Sequence, residues 1–325
     1  MTIPMDPMGV AFRAGDETAL TTAMERHRRE LHVHCYRMLG SFDDAEDAVQ
    51  ETFVRAWRAH AEFDGGPHVR AWLYRIATNT CLDAIRRNKR RATQLGSFAE
   101  VPWLSPYPDR MLDLVAPPED EPQAVLVARE TVELAYIAVI QLLPARQRAV
   151  LLLRDVLQWP ASETAAALEI TVAAANSALQ RARATLREQL PDRDAPRRSD
   201  LSTDERALLM RFIAAHESGD VHEAVSLMRD DIRVTMPPYP YLYEGVAAVS
   251  ELIRTGTGAA GPEMWILRPT AANRMPAAAS YLCEPGESRA RLFKFDVLRI
   301  VGGRIAEITT FGPELAEQFG VPSQL

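Results

Sequence analysis

Two stretches of this chain combine residue types and spacing that could do chemistry or hold charge. Asp44, Asp47 and Glu51 recur at three- and four-residue intervals, which puts three carboxylates on one face of a helix, with the ring of Phe53 close by. Such a face suits a basic protein partner, because opposite charge steers the encounter and an aromatic ring anchors it. The plainer reading is a solvated helix face. Between His68 and Arg91, Arg70, Arg75, Arg86, Arg87, Lys89, Arg90 and Arg91 stand against one acid, Asp83, a local balance of +6 in a chain whose net charge is −7. The group His32, His34 and Cys35 has metal-ligand side chains, but helical residues two apart point to different sides, so helix packing is expected and no metal. Cys35, Cys81 and Cys283 are far apart and form no CxxC, which argues against a disulfide framework.

The elements that must position these residues can be read from periodicity. From about residue 17 to 91 the pattern is helical. Ser41 and Asp43 are candidate N-caps for a helix in which Ala45, Val49, Phe53 and Trp57 mark a buried stripe. Gly65, Gly66 and Pro67 break the chain. In the following helix Leu73, Ile76, Ala77, Thr80 and Ala84 face inward, and Arg75, Asn79, Asp83, Arg86 and Arg90 lie on the other side. Residues 92–125 read as an acidic linker whose six prolines prevent regular structure, with Trp103 and Tyr107 placed to dock on something. Helices return over 126–191, ending in a short helix, a tight turn near Glu169 and a long helix with Arg181, Arg183 and Arg187, which is a helix-turn-helix pattern. A second linker spans 192–202. Over 203–325 the pattern changes to two helices (203–217 and 220–229) and five alternating runs at 230–236, 263–272, 277–283, 289–301 and 304–311. Gly302–Gly303 marks a hairpin between the last two.

Composition narrows the class. The 325 residues suit two or three domains, and no apolar run is long enough to span a membrane. The start, MTIPMDPMGVAFRAGDE, lacks a signal pattern, and the expectation is a cytoplasmic protein. An acidic chain does not coat DNA unaided, so any nucleic-acid role must come from local basic patches or from a partner that supplies most of the phosphate contacts.

The stretches HCYRMLGSFDDAEDAVQETFVRAW and RAWLYRIATNTCLDAIRR resemble region 2 of extracytoplasmic-function sigma factors, and LPARQRAVLLLRDVLQWPASETAAALEITVAAANSALQRARATL resembles their region 4. The resemblance implies two all-α domains, region 2 over 1–91 and region 4 over 126–191. It also implies a promoter-specificity subunit that binds core RNA polymerase and promoter DNA and catalyses nothing itself. Asp44, Asp47, Gln50, Glu51 and Phe53 would meet the clamp helices of the largest polymerase subunit, while region 4 would meet the flap region. Arg75, Asn79, Asp83, Arg86 and Arg87 would face the minus-ten element. There Asn79 can donate and accept at the edge of an extruded base, arginines can hold phosphates, and the loop Phe63–His68 would wall the pocket. In the long helix Asn176, Ser177, Gln180 and Arg181 would read the minus-thirty-five element in the major groove, and Arg183 and Arg187 would meet phosphate. The family pattern has glycine in the turn and a lysine near the start of that helix. Here Glu169 and the run Val172–Asn176 stand instead, which implies weaker or unusual minus-thirty-five recognition.

The tail over 203–325 resembles the SnoaL-like group of the nuclear-transport-factor-2-like fold, on ERALLMRFIAAHESGDVHEAVSLMRDDIRVTMPP, WILRPTAANRMPAAASYL and FKFDVLRIVGGRIAEITTF. Some subgroups of these sigma factors carry such a tail, the sigma-G and sigma-J types among them, and the sigma-G type is the nearer resemblance. It implies an α+β cone that regulates the sigma domains in cis. Met236, Tyr239, Trp265, Tyr281, Phe293 and Phe295, with Tyr241 and Tyr243, are candidates to line a small-molecule pocket; packing is the plainer reading. His216 and His222 fall in helices, Asp296 is a candidate inward carboxylate, and no acid–base pair is evident on neighbouring strands. No cofactor is expected, and no anti-sigma partner is indicated. The competing reading is a ligand-regulated helix-turn-helix regulator that binds DNA without polymerase.

Overall fold

The computed structural model describes residues 11–63, 69–88, 101–112, 132–189, 201–260 and 264–325. The chain divides into two compact units. One holds both all-helical regions; the other holds the tail together with residues 101–110 and 132–134 of the interior of the chain.

In the first unit, helix α1 spans Glu17–Leu39, α2 Phe42–Arg58 and α3 Val69–Asn88. Asp16 caps α1 by accepting from the Ala19 amide, and Ser41 caps α2 by accepting from the Asp44 amide. Between them Gly40 takes φ +73°, the left-handed conformation that ends α1. The buried face of α2 is Ala45, Ala48, Val49, Thr52 and Ala56. This corrects the expected stripe. Phe53 is half-buried and Trp57 is 43% exposed, because a strict four-residue interval drifts around a 3.6-residue helix and leaves the core. On α3, Leu73, Ala77 and Thr80 are buried as expected, whereas Ile76 and Ala84 are only half-buried.

Helix α4, Asp109–Leu112, adds one helical turn where the linker prolines implied none. Helices α5 (Leu134–Leu142) and α6 (Ala145–Leu151, running into a wider π turn at Leu152–Val156) precede the pair α7 (Ala161–Ala167) and α8 (Val172–Gln189). Residues 126–131 of the expected region 4 lie outside the described residues, and Val132–Leu134 group with the tail. Glu169 sits in the α7–α8 turn at φ +53°.

Arg148 and Gln141, buried between the two helical regions, join them. The Arg148 guanidinium donates to the carbonyls of Met38, Gln141 and Leu143 and to the Gln141 side chain, while Gln141 Nε2 donates to the Arg37 carbonyl. They occupy carbonyls in the last turn of α1 that have no partner within the helix, at the end where a cation is favoured. A Cβ at Gly40 would come within 3.0 Å of the Gln141 side chain, so the turn must be glycine for closeness as well as for φ.

The second unit contains α9 (Thr203–Ser218), α10 (Val221–Ser226) and α11 (Gly245–Ala260) with six strands: β1 Met228–Met236, β2 Tyr239–Glu244, β3 Trp265–Ala272, β4 Met275–Leu282, β5 Arg291–Val301 and β6 Arg304–Phe311. A short α12, Ala316–Phe319, follows. The sheet order is β2-β1-β6-β5-β4-β3, with β1 parallel to β6 and the other pairs antiparallel. A capping box of Ser202 and Glu205 starts α9. One sheet face packs on Leu208, Leu209, Phe212 and Ile213 of α9 through Ile232, Val234, Trp265, Leu267, Ala278, Leu298 and Ile308. This is the α+β arrangement that the resemblance implies. Strand β2 and helix α11 were not anticipated, because YPYLYE begins after Pro237–Pro238 and has no alternation of burial. The Gly302–Gly303 hairpin is present, and a second hairpin turns at Asn273–Arg274, both residues at positive φ.

Candidate nucleic-acid and protein-binding surfaces

Helix α2 presents Asp47, Gln50, Val54 and Trp57 as an exposed stripe at helical spacing. Asp44, Glu51 and Phe53 flank it, half-buried, with the Arg28 guanidinium 4.9 Å from the Phe53 ring centre. Glu51 is engaged within the protein: it accepts from Arg55 at 2.8 Å, Arg55 also reaches Asp83 at 2.9 Å, and Asp83 accepts from Arg86 at 3.1 Å. Arg55 therefore bridges the acidic helix to α3. Asp83 thus holds a guanidinium on each carboxylate oxygen, Arg55 on Oδ2 and Arg86 on Oδ1. Arg75, Arg86 and Arg87 are exposed, and Asn79 is half-buried one turn beyond Arg75. Phe63 is buried in an edge-on cluster with Phe12 and Trp72, at 5.4 and 5.5 Å between ring centres, and anchors the start of the loop expected to wall a base pocket. Residues 64–68 of that loop, and Arg90, lie outside the described residues.

Helix α8 buries Ala175, Ala178, Leu179, Ala182 and Leu186 against its neighbours and turns Asn176, Ser177, Gln180 and Arg181 outward. Thr171 accepts from the Ala174 amide at the start of the helix. Arg183 makes two hydrogen bonds to the Asp155 carboxylate, at 2.9 and 2.6 Å, so its fork already has a partner within the protein.

In the second unit, the six residues proposed to line one pocket do not come together. Trp265 and Met236 pack on the helix-facing side of the sheet. Tyr281 and Phe295 lie on the opposite face, where the Tyr281 hydroxyl donates to the Pro322 carbonyl and Phe295 packs on Phe319. Tyr239 and Phe293 are 61% and 52% exposed. Phe293 meets the edge of Trp265, with 5.4 Å between ring centres, but sheet alternation, cut by a bulge at Ser280/Tyr281, puts Tyr281 and Phe295 on the other face. The structure instead gathers a polar group: Asp296 is inward as the sequence suggested, and Lys294 and His216, which the sequence did not bring to it, join it. Asp296, buried, accepts from Thr310 at 2.7 Å and pairs with Lys294 at 2.8 Å, and His216 of α9 stands near both, edge-on to Trp265. Burial, with Lys294 adding to it, lowers the His216 pKa to about 3 and keeps the ring neutral. The Lys294 ammonium, with the Thr310 hydroxyl, holds the Asp296 carboxyl below its ordinary range despite burial. Alternation along FKFDV could have suggested that Lys294 and Asp296 share a face, but nothing in the sequence brings His216 to them.

Also in this unit, the hairpin turn at Asn273 holds two separate pieces of the interior chain. Asn273 Oδ1 accepts from the Tyr107 amide at 2.7 Å, and the Asn273 amide donates to the Tyr107 carbonyl at 2.9 Å. Asn273 Nδ2 donates to the Val132 carbonyl. Asp109 accepts from the Arg274 amide at 2.8 Å, Arg110 donates to the Gln318 carbonyl at 2.7 Å, and Val101, Leu104 and Tyr107 are buried.

Among the described residues no group of His, Cys, Asp and Glu could hold a metal, and no helix is long and apolar enough to cross a membrane. Two family models match the chain, Sigma-70 region 2 over residues 23–91 and Sigma-70 region 4 over residues 133–186. The ECF RNA polymerase sigma factor SigG of Mycobacterium tuberculosis is 40% identical over 96% of this chain and 86% of its own length. The ECF RNA polymerase sigma factor SigW of Bacillus subtilis is 31% identical over 55% of this chain and 93% of its own. A crystal structure of the M. tuberculosis extracytoplasmic function sigma factor SigJ superposes with a TM-score of 0.63, covering 93% of this chain and 99% of that one at 23% identity, a likeness of fold. With a relative 40% identical over 96% of this chain, and regions 2 and 4 in order, the chain belongs to the extracytoplasmic-function family of RNA polymerase sigma factors.

Proposed function

We propose that this sigma factor binds core RNA polymerase through α2 and the flap region through region 4. It reads the minus-ten element with α3 and the minus-thirty-five element with α8, helps melt the start site, and is governed in cis by its C-terminal domain. It does so in the cytoplasm, without catalysing a reaction itself. The observation that carries this reading is one chain presenting an acidic and apolar protein-binding stripe on α2 beside two separate faces suited to nucleic acid. On α3 the exposed Arg75, Arg86 and Arg87 surround Asn79; on α8 Asn176, Ser177, Gln180 and Arg181 point outward. A regulator acting without polymerase would leave the α2 stripe without a partner.

The test is transcription from genomic DNA fragments by purified core polymerase with the full chain and with a chain ending near Arg198. Discrete start sites that require the protein are expected, with yield altered on truncation. No association with core and no transcripts from either chain would overturn the reading. Equal yields would remove the cis control.

A second reading, a small-molecule site in the C-terminal domain, rests on the buried group His216, Lys294 and Asp296 beside Trp265. Among the described residues the buried His216 Nε2 atom meets no hydrogen-bond partner, an arrangement that stability alone disfavours.

A further inference from the structure

The covalent connection between the two DNA-reading regions runs from Asn88, the end of α3, to Leu134, the start of α5, with forty-five residues between them. At roughly 3.4 Å per residue it could extend to about 155 Å. Asn273 holds Tyr107 and Val132 at one point, through Oδ1 on one side and Nδ2 on the other. While both bonds stand, only the pieces from Asn88 to Tyr107 and from Val132 to Leu134 separate the regions, about 70 Å when straight, plus the few ångströms across one side chain. Part of that length is not free, because Val101, Leu104 and Tyr107 are buried against the domain.

The two promoter elements lie, by their names, about 25 base pairs apart, or about 85 Å of duplex at 3.4 Å per step. The widths of the reading domains add the same amount with or without the two bonds. The fastened connection must be pulled close to its contour limit to serve both elements, whereas the released one needs about half its length. Drawing a chain taut carries an entropic penalty that a slack one avoids.

We infer that Asn273 is a two-ended clasp which shortens the linker between region 2 and region 4, and that its release sets how readily the factor engages a complete promoter. This rests on the reading that the C-terminal domain governs initiation in cis, and it names how. The clasp uses a side-chain amide, whose acceptor oxygen and donor nitrogen are separate atoms on one planar group and can therefore face two strands of chain at once. Its place in a left-handed turn, φ +55°, favours Asn over the longer Gln.

The experiment uses the full chain with Asn273→Gly and Asn273→Asp, both of which suit the left-handed turn. Gly removes both side-chain bonds. Asp keeps an acceptor for the Tyr107 amide but has no donor for Val132. In the free wild-type protein the Tyr107 amide should exchange slowly with solvent; it should exchange at least tenfold faster in the Gly variant and in the wild-type factor bound to core polymerase. Single-round transcription on a promoter carrying both elements should rise at least threefold with either variant.

Equal yields from wild type and both variants, with faster Tyr107 exchange in the Gly variant, would mean the clasp opens without consequence. Cis control would then be judged by the truncation alone. A rise with Gly but none with Asp would reduce the device to a single tether and overturn the shortening. Unchanged Tyr107 exchange in the Gly variant would overturn the clasp itself.

Discussion

Trp57 is exposed where packing does not require it to be. It is 43% exposed, Val54 is 42% exposed, and both continue the line of Asp47 and Gln50. Large apolar groups beside charge are typical anchors of a protein interface, each contributing on the order of 1–3 kcal/mol. Trp57→Ala is therefore expected to weaken association with core polymerase about tenfold or more, while the far-ultraviolet circular dichroism and the melting temperature of the free protein stay unchanged. Asp47→Arg should act in the same direction and lower the association rate most at low salt. If neither variant changes core affinity, α2 is not the docking helix. Reading the sequence at a fixed four-residue interval hid this: Trp57 was placed in the core because Ala45 and Val49 are there, and the drift of the helix carries it out by the third step.

At the scale of elements, helices with strong caps and regular apolar faces were legible. Ser41 before Phe42 starts α2, and the Ala175, Leu179, Ala182 and Leu186 face locates α8. Elements defined by distant partners were not. Strand β2 is exposed along nearly its whole length and exists because β1 pairs with it, and α4 lies in a proline-rich stretch whose contacts come from the hairpin at Asn273–Arg274 and from Gln318. The polar group of the C-terminal domain was half-legible for the same reason, since His216 arrives from another element. The turn of the helix-turn-helix is a case where sequence and structure agree on a strain. Glu169 takes φ +53° where glycine is the unstrained residue. Glu169→Gly should stabilise region 4 by about 1 kcal/mol, measured as a shift in the denaturant midpoint of the full chain. A loss of stability would mean that the Glu169 side chain compensates its backbone.

Over the whole molecule, both units bury neutral imidazoles. Burial lowers the pKa of His32 to about 4 and that of His34 and His216 to about 3, well below the value near 6.5 of an unfolded chain. A base whose folded pKa is depressed binds its proton more readily when unfolded, so stability is held above pH 6.5 and is lost as pH falls from there toward 4. Glu307 acts in the opposite sense. Burial raises its pKa to about 7 despite Arg299 and Arg233, so its contribution favours the fold at low pH and fades between about 4.5 and 7. Three histidines outweigh one glutamate, and the melting temperature should fall steeply between pH 6.5 and 4.5. His34→Gln should flatten that slope, and Glu307→Gln should steepen it. A melting temperature flat across this range would show that the imidazoles take up protons without unfolding.

The junction at Arg148 has a consequence for sequence drift. On one side it is built from two side chains, Gln141 and Arg148; on the other it meets only the backbone carbonyls of Arg37 and Met38. Any residue that keeps α1 helical presents the same carbonyls, so positions 37 and 38 can wander without this junction registering the change. The inheritance of these hydrogen bonds rests on Gln141, Arg148 and the absent side chain of Gly40, so a lineage could lose or regain this polar junction through those positions.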